Sequence, residues 1–123
     1  MLTIWEQKEV MLVLGQRGNK YRNYKGYEID GIKFDSKKEA IRYKQLKLLE
    51  RAGKISDLHL QVPFEVIKKS QYGNAIRYYA DFVYFDKDEN KQIVEDTKGF
   101  RTDIYKIKKR LLAEQYGIEI KET

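Results

Sequence analysis

One acidic residue, Asp81, stands in a stretch of the chain that is otherwise aromatic or apolar. Residues 78–85 read YYADFVYF, and such a run is typical of a central strand that is covered on both faces. Burying a carboxylate without a partner is costly, because the charged group loses its contact with water. We therefore expect Asp81 to meet a metal ion, a cation or strong hydrogen bonds.

A second acid and a lysine lie on the next predicted strand, residues 92–98. Asp96 and Lys98 are two residues apart, so they point to one face of the strand, whereas Glu95 points to the other. If the two strands are neighbours, Asp81, Asp96 and Lys98 converge at one end of the sheet. The strand periodicity favours Asp96 as a metal ligand, and Glu95 is the alternate.

Glu39 adds a third candidate ligand, on a predicted helix that precedes these strands. It shares a helical stripe with Tyr43 and Leu46, and this stripe is expected to face the sheet. It also follows Ser36 by three residues, the spacing of a capping box, so a purely structural role stays open. Gln61, beside the predicted sheet edge, is a further candidate for contact with the site.

These residue types suit one kind of chemistry, the metal-assisted cleavage of a phosphodiester. Carboxylates without His or Cys suit Mg²⁺, for which Mn²⁺ can substitute, and the number of ions stays open. The ion would polarise the phosphodiester and lower the pKa of a bound water, while Lys98 would orient that water or stabilise developing charge. The chain has no Cys and a single His, His59, which excludes thiolate zinc sites and makes Ser-His-Asp triads implausible.

Cap and turn signals predict the elements that must position these residues. With 123 residues, of which 41% are hydrophobic, the chain suits one domain with one modest core. The predicted elements are a hairpin at residues 27–34, helices at 36–52 and 102–116, and strands at 59–68, 78–85, 92–98 and 118–121. After the hairpin the order is α-β-β-β-α-β, which predicts an α/β or α+β domain with a mixed sheet and a helix on each side. We expect this domain to cover residues 20–123, and residues 1–19 to form an extension with a short helix, a candidate dimerisation arm.

The distribution of charge indicates a polyanionic partner. The net charge is +6, and residues 37–54 carry seven Lys or Arg against two Glu, while residues 101–110 carry five against one Asp. Residues 81–96 carry six acids against two Lys. An acidic centre between two basic helices is what a metal-dependent phosphodiesterase requires, since cations hold the backbone of the nucleic acid. The predicted DNA contacts are Lys37, Lys44, Arg101, Lys106, Lys109 and Arg110.

The motif Asp81, Asp96-Thr97-Lys98 with Glu39 on a preceding helix resembles the PD-(D/E)XK nuclease superfamily. That superfamily shares the αβββαβ core and includes restriction enzymes and Holliday-junction resolvases. Three longer stretches, residues 35–40, 79–84 and 94–100, are similar to a family of small, mostly phage-encoded proteins that are presumed nucleases. The motif's proline is Ala80 here, which removes a turn constraint but no ligand. The resemblance covers roughly residues 20–123.

The resemblance implies a restriction-endonuclease-like fold and a Mg²⁺-dependent DNA endonuclease. Glu39, Asp81 and Asp96 would be the metal ligands, and Lys98 the catalytic lysine. So small a domain has little surface for reading a long sequence, which favours structure-selective cleavage of branched DNA, as by a Holliday-junction resolvase. Junction cutting needs paired sites, so we expect a homodimer.

Two alternatives to this interpretation stay open. A non-catalytic nucleic-acid-binding phage accessory protein could keep the same fold, and the substrate could be RNA rather than DNA. No stretch is long and apolar enough to span a membrane, and no signal peptide is visible. We therefore expect a cytoplasmic protein, in the host cell if it is phage-encoded.

Overall fold

The computed structural model describes residues 27–97 and 101–123, which fall into two compact units. The first unit ends at Ile55 and the second begins at Ser56. The described residues form two helices, a mixed four-stranded sheet and a separate β-hairpin, so the predicted mixed fold class is confirmed. The predicted extension, residues 1–19, and the predicted catalytic Lys98 lie outside the described residues.

The first unit carries the β-hairpin. Strands β1 (Tyr27–Ile29) and β2 (Ile32–Phe34) pair antiparallel around the turn at Asp30 and Gly31. Both turn residues have positive φ angles, 54° and 76°, as a tight primed turn requires. The predicted Asp-Gly hairpin is therefore confirmed.

Helix α1 (Lys37–Arg51) follows the hairpin and packs on it. Ser36 caps the helix, because its Oγ accepts a hydrogen bond from the Glu39 backbone N–H at 3.1 Å. The buried Tyr43 ring lies 5.1 Å from the ring of Phe34, and its hydroxyl donates to Asp30 at 2.9 Å. Burial and this hydrogen bond raise the pKa of Tyr43, so the phenol stays protonated and links helix to turn.

The second unit carries the main sheet, whose strands are β3 (Ile55–Ile67), β4 (Ile76–Asp86), β5 (Lys91–Asp96) and β6 (Ile120–Glu122) in that spatial order. Strands β4 and β5 pair antiparallel, with Val83 opposite Val94. Strands β5 and β6 pair parallel, as the predicted β-α-β unit requires. Pro63, which has no backbone N–H to donate, lies in β3 at the edge of the four-stranded sheet.

Helix α2 (Asp103–Tyr116) connects β5 to β6 and completes the core of this unit. Thr102 caps its start by accepting from the Tyr105 N–H at 3.1 Å, and Gly117 ends it with a φ of 67°. The hydrophobic cluster of the unit consists of Val66, Tyr78, Ala80, Val83, Val94, Tyr105, Leu112 and Ile120.

Strand β3 begins four residues before its predicted start. Within it, Asp57 and Gln61 adopt positive φ angles of 55° and 50°. Half-buried and exposed side chains nevertheless alternate from Ser56 to Glu65, so the strand keeps its two-residue period across both positions. Neither helix of the described residues is long and apolar enough to cross a membrane.

Candidate functional site

Three acids are buried at one end of the β4–β5 pair. Asp81 is 2% exposed, and Glu95 and Asp96 are fully buried. With Thr97, which is 2% exposed, they are all the buried polar or charged residues of the described ranges 27–97 and 101–123. Phe82 lies opposite Glu95 in the antiparallel register, so all four residues lie far from the turn that joins the two strands. The burial of Asp81 and its position beside β5 agree with the sequence prediction.

Asp81 is held by three hydrogen bonds from neutral donors. Its Oδ2 accepts from the Thr97 backbone N–H at 2.9 Å and from the Thr97 hydroxyl at 3.2 Å. Its Oδ1 accepts from the Gln61 side-chain amide at 3.2 Å. These bonds tie together three neighbouring strands, since Gln61 belongs to β3 and Thr97 directly follows β5. Of the partners expected for this buried carboxylate, strong hydrogen bonds are the ones observed.

Gln61 reaches Asp81 from a strained backbone conformation. Its φ of 50° lies in the left-handed region, which costs a non-glycine residue roughly 1–2 kcal/mol. Such residues cluster at functional sites, where the surrounding structure holds them in place. The contact between Gln61 and the candidate site was expected from the sequence, but its backbone conformation was not.

Asp96 accepts a hydrogen bond from the Tyr78 hydroxyl at 2.7 Å. Tyr78 is 4% exposed and belongs to the hydrophobic cluster that packs with α2. Burial, first, and then the hydrogen bond and charge of Asp96 raise the pKa of Tyr78, and the charge of Asp81 adds to this effect. Tyr78 therefore keeps its proton and donates it to Asp96 in a hydrogen bond. The negative charges of both Asp81 and Asp96 help to raise its pKa.

Glu95 has a different set of partners. It accepts from the Tyr84 hydroxyl, and the Thr123 hydroxyl lies 3.5 Å from its other oxygen. Because successive side chains of a strand point to opposite faces, Glu95 and Asp96 are directed to opposite sides of the sheet. The two acids of this doublet are therefore not equivalent, as the strand periodicity predicted.

The predicted metal ligands are not all brought together. The described residues contain no group of three or more His, Cys, Asp or Glu side chains that could hold a metal ion. Asp81 and Asp96 supply hard carboxylate oxygens, and Mg²⁺ often takes only one or two carboxylates and completes its shell with water and substrate oxygens. The donor chemistry of each carboxylate therefore fits Mg²⁺. Glu39 lies in the first unit, half-buried, and its role as a further ligand stays a prediction.

Two of the predicted DNA contacts are engaged by a carboxylate. Oε2 of Glu122 lies 2.7 Å from Arg101 Nε and 3.2 Å from Lys109 Nζ, and it accepts from the Tyr105 hydroxyl at 2.7 Å. The hydrogen bond from Tyr105, followed by the Lys109 and Arg101 cations, lowers the pKa of Glu122. Because Arg101 and Lys109 share the single carboxylate of Glu122, these three side chains together keep a net positive charge.

The other predicted contacts are distributed over both helices. Arg110 pairs with Glu114 one turn further along α2, at 3.2 Å, and this pair is largely exposed. Lys106, also on α2, is exposed. In the first unit, Lys37 is exposed and Lys44 is half-buried.

A cavity of about 220 Å³ adjoins the site between the start of β4 and the first turns of α2. Lys108 crosses this region and donates to the Arg77 carbonyl at 2.8 Å. One wall is Tyr78, the hydrogen-bond donor to Asp96. The lining residues are Arg77, Tyr78, Tyr79, Thr102, Ile104, Tyr105 and Lys108.

Comparison with known proteins gives one match. A family model with the description "Protein of unknown function (DUF1064)" matches residues 18–123. No curated protein and no solved structure matches the chain significantly.

Proposed function

The chain belongs to the DUF1064 family, and we propose that this member is a Mg²⁺-dependent DNA endonuclease. The observation that carries the proposal is the burial of Asp81, Glu95 and Asp96 at one end of the β4–β5 pair. Apolar residues would fill this position at a lower cost in desolvation. Acids retained there, beside a strained Gln61, point to chemistry rather than to packing.

The order of elements supports membership of the PD-(D/E)XK superfamily. The described chain runs α1-β3-β4-β5-α2-β6 after the hairpin, which is the order of that superfamily's core. Asp81 stands on β4 and Asp96 ends β5, so the acids occupy the strands on which the motif carries them. Lys98 follows Asp96 by two residues in the sequence, at the motif position of the lysine.

The residues of the site have distinct tasks in this proposal. A bound Mg²⁺ supplies charge that polarises the scissile phosphodiester and lowers the pKa of a bound water. Asp81 and Asp96 offer it carboxylate oxygens, with Glu39 as a further ligand. Gln61 and Thr97 fix the orientation of Asp81.

Two further residues complete the proposed machinery. Tyr78 holds Asp96 by donating from a phenol that keeps its proton. Lys98 orients the attacking water or stabilises charge that develops on the phosphate.

Basic residues on both helices hold the DNA backbone in this proposal. Lys37 and Lys44 lie on α1, and Lys106, Lys109 and Arg110 lie on α2, with Arg101 just before it. The limited surface of the chain favours recognition of DNA shape, and cleavage of a four-way junction requires two sites. We therefore propose a homodimer that cuts branched DNA, in the cytoplasm of the cell or of a phage host.

One observation favours a second function, a non-catalytic nucleic-acid-binding protein. Both carboxylate oxygens of Asp81 already accept hydrogen bonds, and the described residues hold no group of three metal-ligating side chains. A protein that only binds DNA would keep these bonds and need no ion.

Cleavage assays separate the two functions. Supercoiled plasmid, linear duplex, four-way-junction DNA and an RNA hairpin are incubated with the protein in Mg²⁺, Mn²⁺ or EDTA. We expect cleavage of DNA, most efficiently at the junction, that requires either metal and that Asp81→Asn abolishes. The matched control is Asp88→Asn, which changes an exposed acid in the β4–β5 turn. Two results contradict the endonuclease proposal. Either the protein binds DNA but cleaves no substrate in the presence of metal, or the Asp81→Asn variant still cleaves DNA.

A further inference from the structure

The connection between β3 and β4 presents an aromatic side chain on a well-ordered turn. The backbones of Ser70 and Gly73 exchange hydrogen bonds at 3.0 and 3.2 Å. The Ser70 hydroxyl also accepts from the Tyr72 N–H at 3.1 Å. Tyr72 itself is 90% exposed, the most exposed large hydrophobic residue of the described chain. The hydrogen bonds fix the backbone of the turn, and the ring projects from it into solvent.

An exposed tyrosine on such a turn is suited to contact with a partner. The fold of the protein gains little stability from the Tyr72 ring, since an aromatic side chain stabilises a protein chiefly by being buried. The ring has few rotatable bonds, so it can be immobilised against a partner at a small cost in conformational entropy.

The charges around Tyr72 indicate what the partner is. Residues 68–80 contain Lys68, Lys69 and Arg77 and no acid. Lys68 and Lys69 are exposed, and within the described residues neither has an ion-pair partner. Arg77 faces Glu65 at 3.6 Å, with half of its side chain exposed. An aromatic ring close in sequence to unpaired cations is a combination that binds single-stranded nucleic acid, by stacking on a base and attracting the phosphates.

The position of the turn relates it to the buried acids. Strand β4 runs directly from the turn to Asp81, and at about 3.3 Å per residue the five steps from Ile76 span roughly 17 Å. Tyr72 lies beyond Ile76, so roughly 20 Å separates it from Asp81. Arg77 and the half-exposed Tyr79 lie between them on the same strand.

We propose that Tyr72 stacks on an unpaired base of a bound nucleic acid, while Lys68 and Lys69 contact the neighbouring phosphates. The inference rests on the proposed function and deepens it, because it defines the substrate class. The substrate carries unpaired bases at a distance from the phosphate that lies at Asp81. A blunt, fully paired duplex offers no such base.

Binding in EDTA tests the inference without any cleavage. Fluorescence anisotropy measures the affinity of the full-length protein for a labelled single-stranded oligonucleotide and for a blunt duplex. We expect Tyr72→Ala to weaken single-strand binding by about five- to 100-fold, the usual effect of removing one stacking ring. Duplex binding should change less than twofold. Tyr72→Phe keeps the ring and should bind as the wild type does, and Gln71→Ala, in the same turn, is the matched control.

Three results would overturn the inference. The first is unchanged single-strand binding by Tyr72→Ala, and the second is an equal loss by Tyr72→Phe, which would assign the effect to the hydroxyl. The third concerns a parallel assay with vesicles of anionic lipid. If Tyr72→Ala weakens binding to these vesicles but not to the single strand, the turn is a membrane contact. Thermal melting followed by circular dichroism checks that each variant is folded.

The same assay keeps the inference apart from the endonuclease proposal. If no substrate is cleaved in Mg²⁺ but Tyr72→Ala still loses single-strand binding selectively, the stacking inference stands and the catalytic proposal fails. If the protein cleaves DNA and Tyr72→Ala binds normally, the catalytic proposal stands and the stacking inference fails.

Discussion

The side-chain amide of Gln61 donates a hydrogen bond to Asp81 Oδ1 at 3.2 Å from a backbone with a φ of 50°. A strained residue in the middle of a strand thus supports a buried carboxylate of the candidate site. Because the strain and the hydrogen bond occur at one residue, substitutions at Gln61 can separate the two contributions.

Gln61→Gly should leave the free energy of unfolding within about 1 kcal/mol of the wild type. Glycine relieves the left-handed strain, roughly 1–2 kcal/mol, but loses a hydrogen bond that contributes about 1 kcal/mol. Gln61→Val should be less stable than Gln61→Gly by at least about 1 kcal/mol, because a β-branched residue resists this conformation. Urea unfolding measures both. Equal stability of the two variants would show that the backbone is not strained.

Asp81→Ala should lower the free energy of unfolding by about 1–3 kcal/mol. The substitution leaves the buried Thr97 N–H without its acceptor, and an unpaired buried donor carries that penalty. Thr97→Val removes only the hydroxyl donor and should cost less than Asp81→Ala. Chemical denaturation is the measurement. A gain in stability for Asp81→Ala would mean that the hydrogen bonds do not compensate the cost of burying the carboxylate.

Tyr78→Phe should destabilise the protein by about 1–3 kcal/mol at neutral pH, since it removes a hydrogen bond that Tyr78 donates to a buried, charged Asp96 oxygen. Tyr79→Phe, on the next residue of β4, changes a ring that is 50% exposed and serves as the control. It should fall within about 0.5 kcal/mol of the wild type. Similar losses for both variants would contradict the importance of the Tyr78–Asp96 bond.

The stability of the protein should fall above about pH 10. The pKa values of Tyr43, Tyr78 and Tyr105 are raised, mainly by burial, so the folded state retains three protons that the unfolded state releases near pH 10. The stability from each phenol is complete below the unfolded pKa and is lost as the pH rises toward the folded pKa. Each contributes a slope of about 1.4 kcal/mol per pH unit. Tyr78→Phe should reduce the slope by about 1 kcal/mol per pH unit between pH 10 and 11, where the unfolded phenol is still partly protonated, and an unchanged slope would show that Tyr78 ionises normally.

Glu122→Gln should strengthen the binding of DNA. The substitution removes the negative charge that Arg101 and Lys109 share, which frees two cations for phosphate. If both reach the backbone, the slope of log K against log salt should steepen by up to about 1.8. Glu114→Gln, which frees only the exposed Arg110, is the comparison. An unchanged salt slope for Glu122→Gln would exclude Arg101 and Lys109 from the DNA interface.

The parts of the fold that local chemistry determines could be predicted from the sequence. Asp30-Gly31 predicts the hairpin, Ser36 and Thr102 predict the helix starts, and Gly117 predicts the end of α2. Each signal acts within a few residues, so no knowledge of the distant chain is needed. The burial of Asp81 was also predictable, because the apolar residues that surround it are its neighbours in the chain.

Apart from the contact of Gln61, the contacts of the site could not be predicted, because they depend on strand register and on distant residues. The bond from Tyr78 to Asp96 joins residues 18 apart, and that from Thr97 to Asp81 joins residues 16 apart. Arg101 and Glu122 likewise lie on either side of α2 in the sequence, so their pairing could not be predicted. From the sequence, Arg101 was therefore predicted only as a phosphate contact. The positive φ of Gln61 left no local signal, since glutamine is not a residue that favours it.

The edges of the sheet restrict how two copies of this protein can associate. Strand β3 forms one edge, and Pro63, Asp57 and Gln61 disturb its row of backbone donors and acceptors. Strand β6 forms the other edge and is only three residues long. Within residues 27–97 and 101–123, neither edge is a good template for a further strand. A dimer of this protein must therefore bury side-chain surfaces, rather than continue the sheet from one copy into the next.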